Sequence, residues 1–404
     1  MTPPLNISIK SAKRLQLEKQ GINNFPRRVT KKSIYDVVDR LGCIQIDTIN
    51  VVERAHYLTI WTRLRSYDRK HLYDIAYKNR RIFEGWGHAM CYMPLKDYRY
   101  LINANNERAQ DSTIHKGWFS RVDPETIEFV RQRIKTEGPL SSADFEGDKS
   151  ATGWWGWKPA KRALEALFSA GELMITRRDG FKRVYDLTER VLPSWVDVSE
   201  PTEEERIRFF ALRTMGCLGV IKPQDIRIYY HNWCVKLGKT SKEVQIVLDE
   251  LVKEKVAVNL KIEGLRQPYY CLAEDIGQLE NLEEDWDFDG VKFVNYFDSL
   301  LWQADRLKEL FVFERVLEVY LKPQQRRFGY FTIPILYRDG FIGRFDPKLE
   351  RKEKKLIIRG LWYENGFQLT EEYEDEFQRT LESFIKFIGA EKVVWHLEKM
   401  PTSV

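Results

Sequence analysis

The sequence predicts an α+β protein: tandem winged-helix units followed by a small C-terminal β-barrel or sheet capped by a helix. Three observations carry that expectation. Amphipathic helical stretches followed by two β-like runs around a tight turn occur at 125–189 and again at 202–273. Beyond the acidic stretch at 283–289 the pattern changes to strand-like runs. An apolar stripe of helical period, Tyr373, Phe377, Leu381, Phe384 and Phe387, then spans 370–389.

Taken in chain order, the first unit is the faintest, with helices at 8–20 and 31–41 before a strand that carries Gln45. In the second unit, Ile127, Val130 and Ile134 mark a helix that Gly138-Pro139 stops, and Ser141-Ser142-Ala143-Asp144-Phe145 reads as a capped second helix. A third helix follows, with Pro159 tolerated in its first turn and Ala163, Leu164, Leu167 and Phe168 as its apolar face. Strand-like runs at 173–177 and 182–187 flank Asp179-Gly180, a strong hairpin signal. The third unit repeats the order: helices at 206–215, near 224–230 and from Ser241, then strands at 257–262 and 268–272 around Glu263-Gly264. The last region has runs at 315–321, 329–337, 340–345 and 356–361, with Asp339-Gly340 as a further turn. The expected segments are therefore 1–120, 121–198, 199–280 and 281–404.

With 31% charged and 43% hydrophobic residues, the chain has the profile of a globular protein rather than a disordered one. No apolar run approaches the ~20 residues of a membrane span. Met1-Thr2-Pro3-Pro4-Leu5 lacks the plan of a signal peptide, so a cytoplasmic address is the default expectation. Cys43, Cys91, Cys217, Cys234 and Cys271 are scattered without C-x-x-C spacing, which suggests buried thiols rather than disulfides or a zinc site. The net charge of +5 is mild, but its distribution is uneven. Basic pairs stand at Arg27-Arg28, Lys161-Arg162, Arg177-Arg178, Lys182-Arg183 and Arg326-Arg327, and three of them fall inside the 125–189 unit. Any single pair reads as solvated surface. Three in one module make a shared DNA-facing surface a competing reading.

The run Ile44-Gln45-Ile46-Asp47-Thr48 places two polar groups on one edge. Side chains alternate along an extended strand, so Gln45 and Asp47 share a face while Ile44 and Ile46 point toward a core. This run closely resembles the Gln-apolar-Asp motif of the bacterial winged-helix DNA glycosylases that unhook interstrand crosslinks, the YcaQ/AlkX-type branch of the family that also contains AlkZ. Similar stretches follow in consistent order from about residue 10 to 365: Arg54-Ala55-His56-Tyr57-Leu58, Trp86-Gly87-His88-Ala89-Met90-Cys91-Tyr92-Met93-Pro94, Gly153-Trp154-Trp155-Gly156-Trp157-Lys158-Pro159, Arg183-Val184-Tyr185-Asp186-Leu187, Leu317-Glu318-Val319-Tyr320 and Ile342-Gly343-Arg344-Phe345-Asp346. One departure stands out. Where the family usually has Ser-Pro-Phe-Asp, this chain reads Asn295-Tyr296-Phe297-Asp298.

Cleaving an N-glycosidic bond passes through an oxocarbenium-like sugar, so the useful protein group is an anion near C1′ that also positions a water. Asp47 can do both, and Gln45 can hold that water or contact the sugar. An N7-alkylated guanine is already a cationic leaving group and has little need of a general acid. On sequence chemistry alone, Asp47 as a cap for residues 48–51 is the stronger reading, and the family resemblance reverses that order. His56 and His88 have no triad or metal spacing, and Glu53 is a candidate second carboxylate; each of these is more often structural. Trp154, Trp155 and Trp157 beside Lys158, Lys161 and Arg162 are placed to stack on or wedge into DNA, with at least one ring expected in a core. The DNA-facing candidates are Arg54, His56, Trp154, Trp155, Lys158, Lys161, Arg162, Arg177, Arg178, Lys182, Arg183, Arg326 and Arg327. The resemblance implies a monofunctional glycosylase acting as a monomer on double-stranded DNA with alkylated or crosslinked purines, without metal or diffusible cofactor. The competing class is a winged-helix transcription regulator without chemistry. Such a regulator has no need of an amide and a carboxylate on one strand face.

Overall fold

Helices begin where the sequence supplies caps. Ser8 accepts the N–H of Ser11 at 3.0 Å ahead of the Ile9–Lys19 helix. Thr30 and Ser33 cap one another's backbone ahead of Lys31–Leu41, Asp123 accepts from Thr126 ahead of Pro124–Glu137, and Thr370 accepts from Tyr373 ahead of Glu371–Ile388. These starts lie within two residues of those the periodicity predicts.

The computed structural model describes residues 3–102, 122–145, 157–284 and 286–396, which divide into two compact units. The first comprises Met1–His71, Phe210–Tyr229 and Ser241–Val404; the second comprises Leu72–Phe209 and Tyr230–Thr240. Each unit is thus assembled from windows that are not adjacent in sequence.

Two apolar cores can be traced among the described residues of the first unit. In one, Ala12 and Leu15 of the Ile9–Lys19 helix meet Leu279 and Leu282 of Ile276–Glu284 and Leu307 and Leu310 of Ala304–Phe311. The other packs Ala55, Leu58 and Trp61 of the Ala55–Leu64 helix with Phe293, Ile335, Phe345 and Ile358 of a sheet and Phe377, Leu381 and Phe384 of the Glu371–Ile388 helix. Trp61 and Phe384 meet edge-on with centroids 5.1 Å apart, and burial of each such ring contributes about 1.5–3 kcal/mol. That sheet has five strands in the order Val291–Phe293, Ile333–Tyr337, Gly340–Glu350, Lys355–Tyr363 and Lys392–Trp395, antiparallel except for the last pair. Register shifts at Ile335/Leu336 and Phe345/Pro347 curl it, and Pro347 sits where the ladder is already broken. A smaller sheet runs Leu5–Ile7 parallel to Ala257–Ile262, which pairs antiparallel with Tyr269–Leu272.

The expected strand at 315–321 does not form. Residues 312–318 are irregular and 319–320 turn, because the Glu318 carboxylate is used to bind backbone N–H groups further along and Pro323 follows.

In the second unit, Ile82–Trp86 and Met90–Pro94 form an antiparallel hairpin in register Glu84↔Tyr92. The helix Pro124–Glu137 leads to the short strand Leu140–Ser141, a 3-10 turn at Ser142–Phe145, the helix Trp157–Ser169 and the hairpin Leu173–Asp179/Lys182–Leu187. Gly180 takes φ +64 at the hairpin turn, a conformation that side chains resist. All five cysteines are buried thiols. Among the described residues no helix is long and apolar enough to cross a membrane.

Candidate active site

The Lys31–Leu41 helix must stop abruptly for the Gln45 segment to leave it, and Gly42 makes that stop. Its φ is +67, and a Cβ there would lie 3.2 Å from Cys217 Sγ and 3.3 Å from Arg213 Nε. Arg213 also binds Asp39 at 3.0 Å, and the Tyr229 hydroxyl donates to the Leu41 carbonyl. The segment therefore leaves from a clamped helix end.

From there Ile44 and Ile46 are buried, as the alternation demands, but Cys43 and Gln45 on the opposite face are buried as well, Gln45 being only 9% exposed, and the strand ends there. Asp47 lies half-buried beyond it. Its Oδ1 accepts the N–H of Ile49 at 2.8 Å, closing a side-chain turn, and its Oδ2 faces Gln45 Nε2 at a longer 3.4 Å. The capping reading of Asp47 is therefore correct for one oxygen. The other oxygen is aimed along the shared face toward the amide.

The following loop is fixed from several sides. Arg351 donates to Asn50 Oδ1 at 2.5 Å and to the Val52 carbonyl at 3.1 Å, Leu349 N–H donates to the Val51 carbonyl, and Arg54 Nη1 reaches the Thr48 carbonyl at 3.3 Å. Glu53 is occupied, accepting from its neighbour's N–H and binding Arg69 at 2.6 Å, so it is held as a brace. His56 is buried in the first turn of the Ala55–Leu64 helix, its ring 4.2 Å from that of Tyr57. His88 sits half-buried in the turn between the strands of the Ile82–Trp86/Met90–Pro94 hairpin.

Tyr320 lies on a loop whose flanks, Leu317 and Tyr330, pack on the same apolar core as Ile49 and Val51. Partial burial, then the negative charge of Asp47, holds its hydroxyl above its usual pKa, while Arg315 pulls it down. Burial lowers the Arg315 pKa in turn. These residues escaped the sequence reading because the strand expected at 315–321 gave no hint of an exposed turn.

The basic candidates separate by environment. Lys161 and Arg162 are exposed on the Trp157–Ser169 helix, and Lys182 is exposed at the hairpin tip. Arg177 is partly exposed and bound to Asp179 at 3.1 Å, and Arg183 binds Glu165 at 2.6 Å. Arg178 turns inward: Glu84 takes its Nε at 2.7 Å and its Nη2 at 2.5 Å, and the Tyr77 hydroxyl donates to the same carboxylate. Burial opposes the Arg178 charge, but Glu84 outweighs it and leaves the pKa raised. In the first unit, Arg326 folds onto the Leu321 carbonyl at 2.8 and 3.0 Å and stacks on Tyr330, and exposed Arg327 pairs with Glu314 at 3.3 Å. Trp154 and Trp155 lie outside the described residues, as do the side chains of Trp157 and Lys158.

Chemically, the arrangement offers one half-buried carboxylate with an amide beside it. Among the described residues no cluster of three metal-binding side chains is present. Comparison with known proteins gives two results. A family model described as DNA glycosylase AlkZ-like matches residues 38–387. The solved structure of the Streptomyces sahachiroi DNA glycosylase AlkZ is similar over 97% of this chain and 100% of that one, with a TM-score of 0.66 and 13% sequence identity, a likeness of fold.

Proposed function

The chain belongs to the AlkZ-like DNA glycosylase family, and on that premise we propose that it hydrolyses the N-glycosidic bond of N7-alkylated purines in DNA, interstrand crosslinks included. A DNA glycosylase is a hydrolase of N-glycosyl bonds that binds DNA and serves its repair. The reading of a regulator without chemistry is not favoured.

The observation that carries the finer reading is the division of labour at Asp47. One oxygen is spent on the Ile49 N–H, which fixes the carboxylate, and the other remains beside the Gln45 amide. As the bond to the cationic base breaks, positive charge develops at C1′ and O4′ of the sugar. Asp47 stabilises that charge and accepts a proton from the attacking water, while Gln45 orients the water through its amide. The alkylated base leaves neutral, so no acid is required opposite. In this reading no metal or diffusible cofactor takes part.

The order helix, short strand, 3-10 turn, helix and hairpin in residues 124–187 supports a winged-helix reading of that segment, with Lys161, Arg162, Arg177 and Lys182 as its phosphate contacts. Arg178 is reserved for Glu84. The test is incubation with duplexes bearing N7-methylguanine, a bulky N7 adduct or an N7-linked crosslink. Abasic sites from all three support the proposal. Release of unmodified bases alone, or of none, would sink the substrate assignment.

A further inference from the structure

Tyr320 is 75% exposed and Leu321 40% exposed, side by side in a loop running from Glu318 to Gly329, just ahead of its Pro323–Gln325 turn. Loops that expose such side chains are normally mobile, and this one is braced. The Glu318 carboxylate, 4% exposed, accepts the N–H groups of Arg327, Phe328 and Gly329 at 2.5, 2.8 and 3.0 Å. Across the loop, Arg326 closes on the Leu321 carbonyl, and Lys322 N–H donates to Gln325 Oε1 at 3.2 Å. The base of the loop is locked as well. Gly329 has φ +143, and a Cβ there would lie 2.2 Å from Asp346 Oδ2.

An exposed ring on a braced loop, packed through Leu317 and Tyr330 on the same core as Ile49 and Val51 and flanked by Lys322, Arg326 and Arg327, has the build of a wedge with a cationic collar. Ordering the loop in advance removes an entropy cost at the moment of binding. We infer that Tyr320 inserts into the base stack next to the lesion and opens it, so that the sugar C1′ comes within reach of Asp47. The inference rests on the reading of Asp47 as the catalytic carboxylate. Leu321 fills the gap beside the ring, and the collar holds the flanking phosphates.

A wedge is needed to open a duplex and much less needed on a single strand that is already unstacked. The test uses the full chain with a single N7-alkylguanine oligonucleotide, as duplex and as single strand, under single-turnover conditions. Tyr320→Ala should lower the duplex-to-single-strand rate ratio by about 10- to 100-fold, the size of one lost base–aromatic stack. Tyr320→Phe should keep the wild-type ratio, since stacking needs the ring and not the hydroxyl. A second measurement places 2-aminopurine next to the lesion: wild-type binding should raise its fluorescence and Tyr320→Ala should not. An unchanged ratio, or equal fluorescence with both proteins, overturns the wedge. A wild-type protein that releases no base but still raises the fluorescence overturns the catalytic reading and leaves the wedge standing.

Discussion

Asp298→Asn should destabilise the first unit far more than its conservative size change suggests. Arg63 is buried to 1% and Asp298 to 0% side-chain exposure, and the two form a bidentate pair at 2.7 and 3.0 Å. The remaining guanidinium donors go to the Gln20 carbonyl at 2.7 Å, the Thr59 carbonyl at 2.9 Å and Gln20 Oε1 at 3.0 Å. Asparagine preserves the volume and can still accept from Leu300 N–H, as Asp298 does at 3.1 Å. It cannot neutralise the cation, and its NH2 would face a guanidinium nitrogen. Removing one partner of a buried pair costs about 3–5 kcal/mol, a large part of the ~5–15 kcal/mol that holds a typical domain together. Urea unfolding followed by tryptophan fluorescence suits the test, because Trp302 donates to the Phe297 carbonyl in the same turn. The double change Arg63→Met with Asp298→Leu should recover most of the loss, since it removes the stranded charge. If Asp298→Asn costs under about 1 kcal/mol while the double change costs more, the argument from a stranded charge is wrong.

Gln45→Ala should slow base release about tenfold, the worth of one water-orienting hydrogen bond, and a loss as large as that of an Asp47 variant would give Gln45 a different role. Neutralising Lys161, Arg162, Arg177 and Lys182 should reduce the salt slope of DNA binding by about 0.9 for each phosphate they no longer neutralise; an unchanged slope would move the interface elsewhere. Activity should survive excess EDTA, and borohydride should trap no protein–DNA adduct, since no lysine lies between residues 44 and 58 to form a Schiff base with the sugar. A trapped adduct would reduce Asp47 to an electrostatic helper.

Local features were legible in the sequence because they depend on near neighbours. Asp179-Gly180 announces a hairpin turn and Pro159 the first turn of a helix, and the fold contains both. The departure at 295–298 is local in one half only: Asn295 Oδ1 accepts the Phe297 N–H at 3.0 Å and makes a side-chain turn, while its amide reaches Thr59 Oγ1, 236 residues away, at 3.0 Å. Long-range pairing was not legible. Nothing in Arg177-Arg178 says that the second arginine is claimed by Glu84, 94 residues away. Tyr320 was hidden for the same reason, because its loop is shaped by Glu318 binding backbone up to eleven residues ahead. At Asp47 the sequence offered both a cap and a catalyst, and the geometry accommodates both by giving each oxygen its own partner.

The most direct test is single-turnover base release by wild type and Asp47→Asn on a duplex with one N7-alkylguanine, with DNA affinity measured alongside. The variant is a clean probe, because asparagine Oδ1 can still accept the Ile49 N–H that Asp47 accepts at 2.8 Å, so the turn survives while the anion is lost. Wild type should give abasic product, and Asp47→Asn should lower the rate by about 10²- to 10³-fold with unchanged affinity. Equal rates for the two proteins would contradict it.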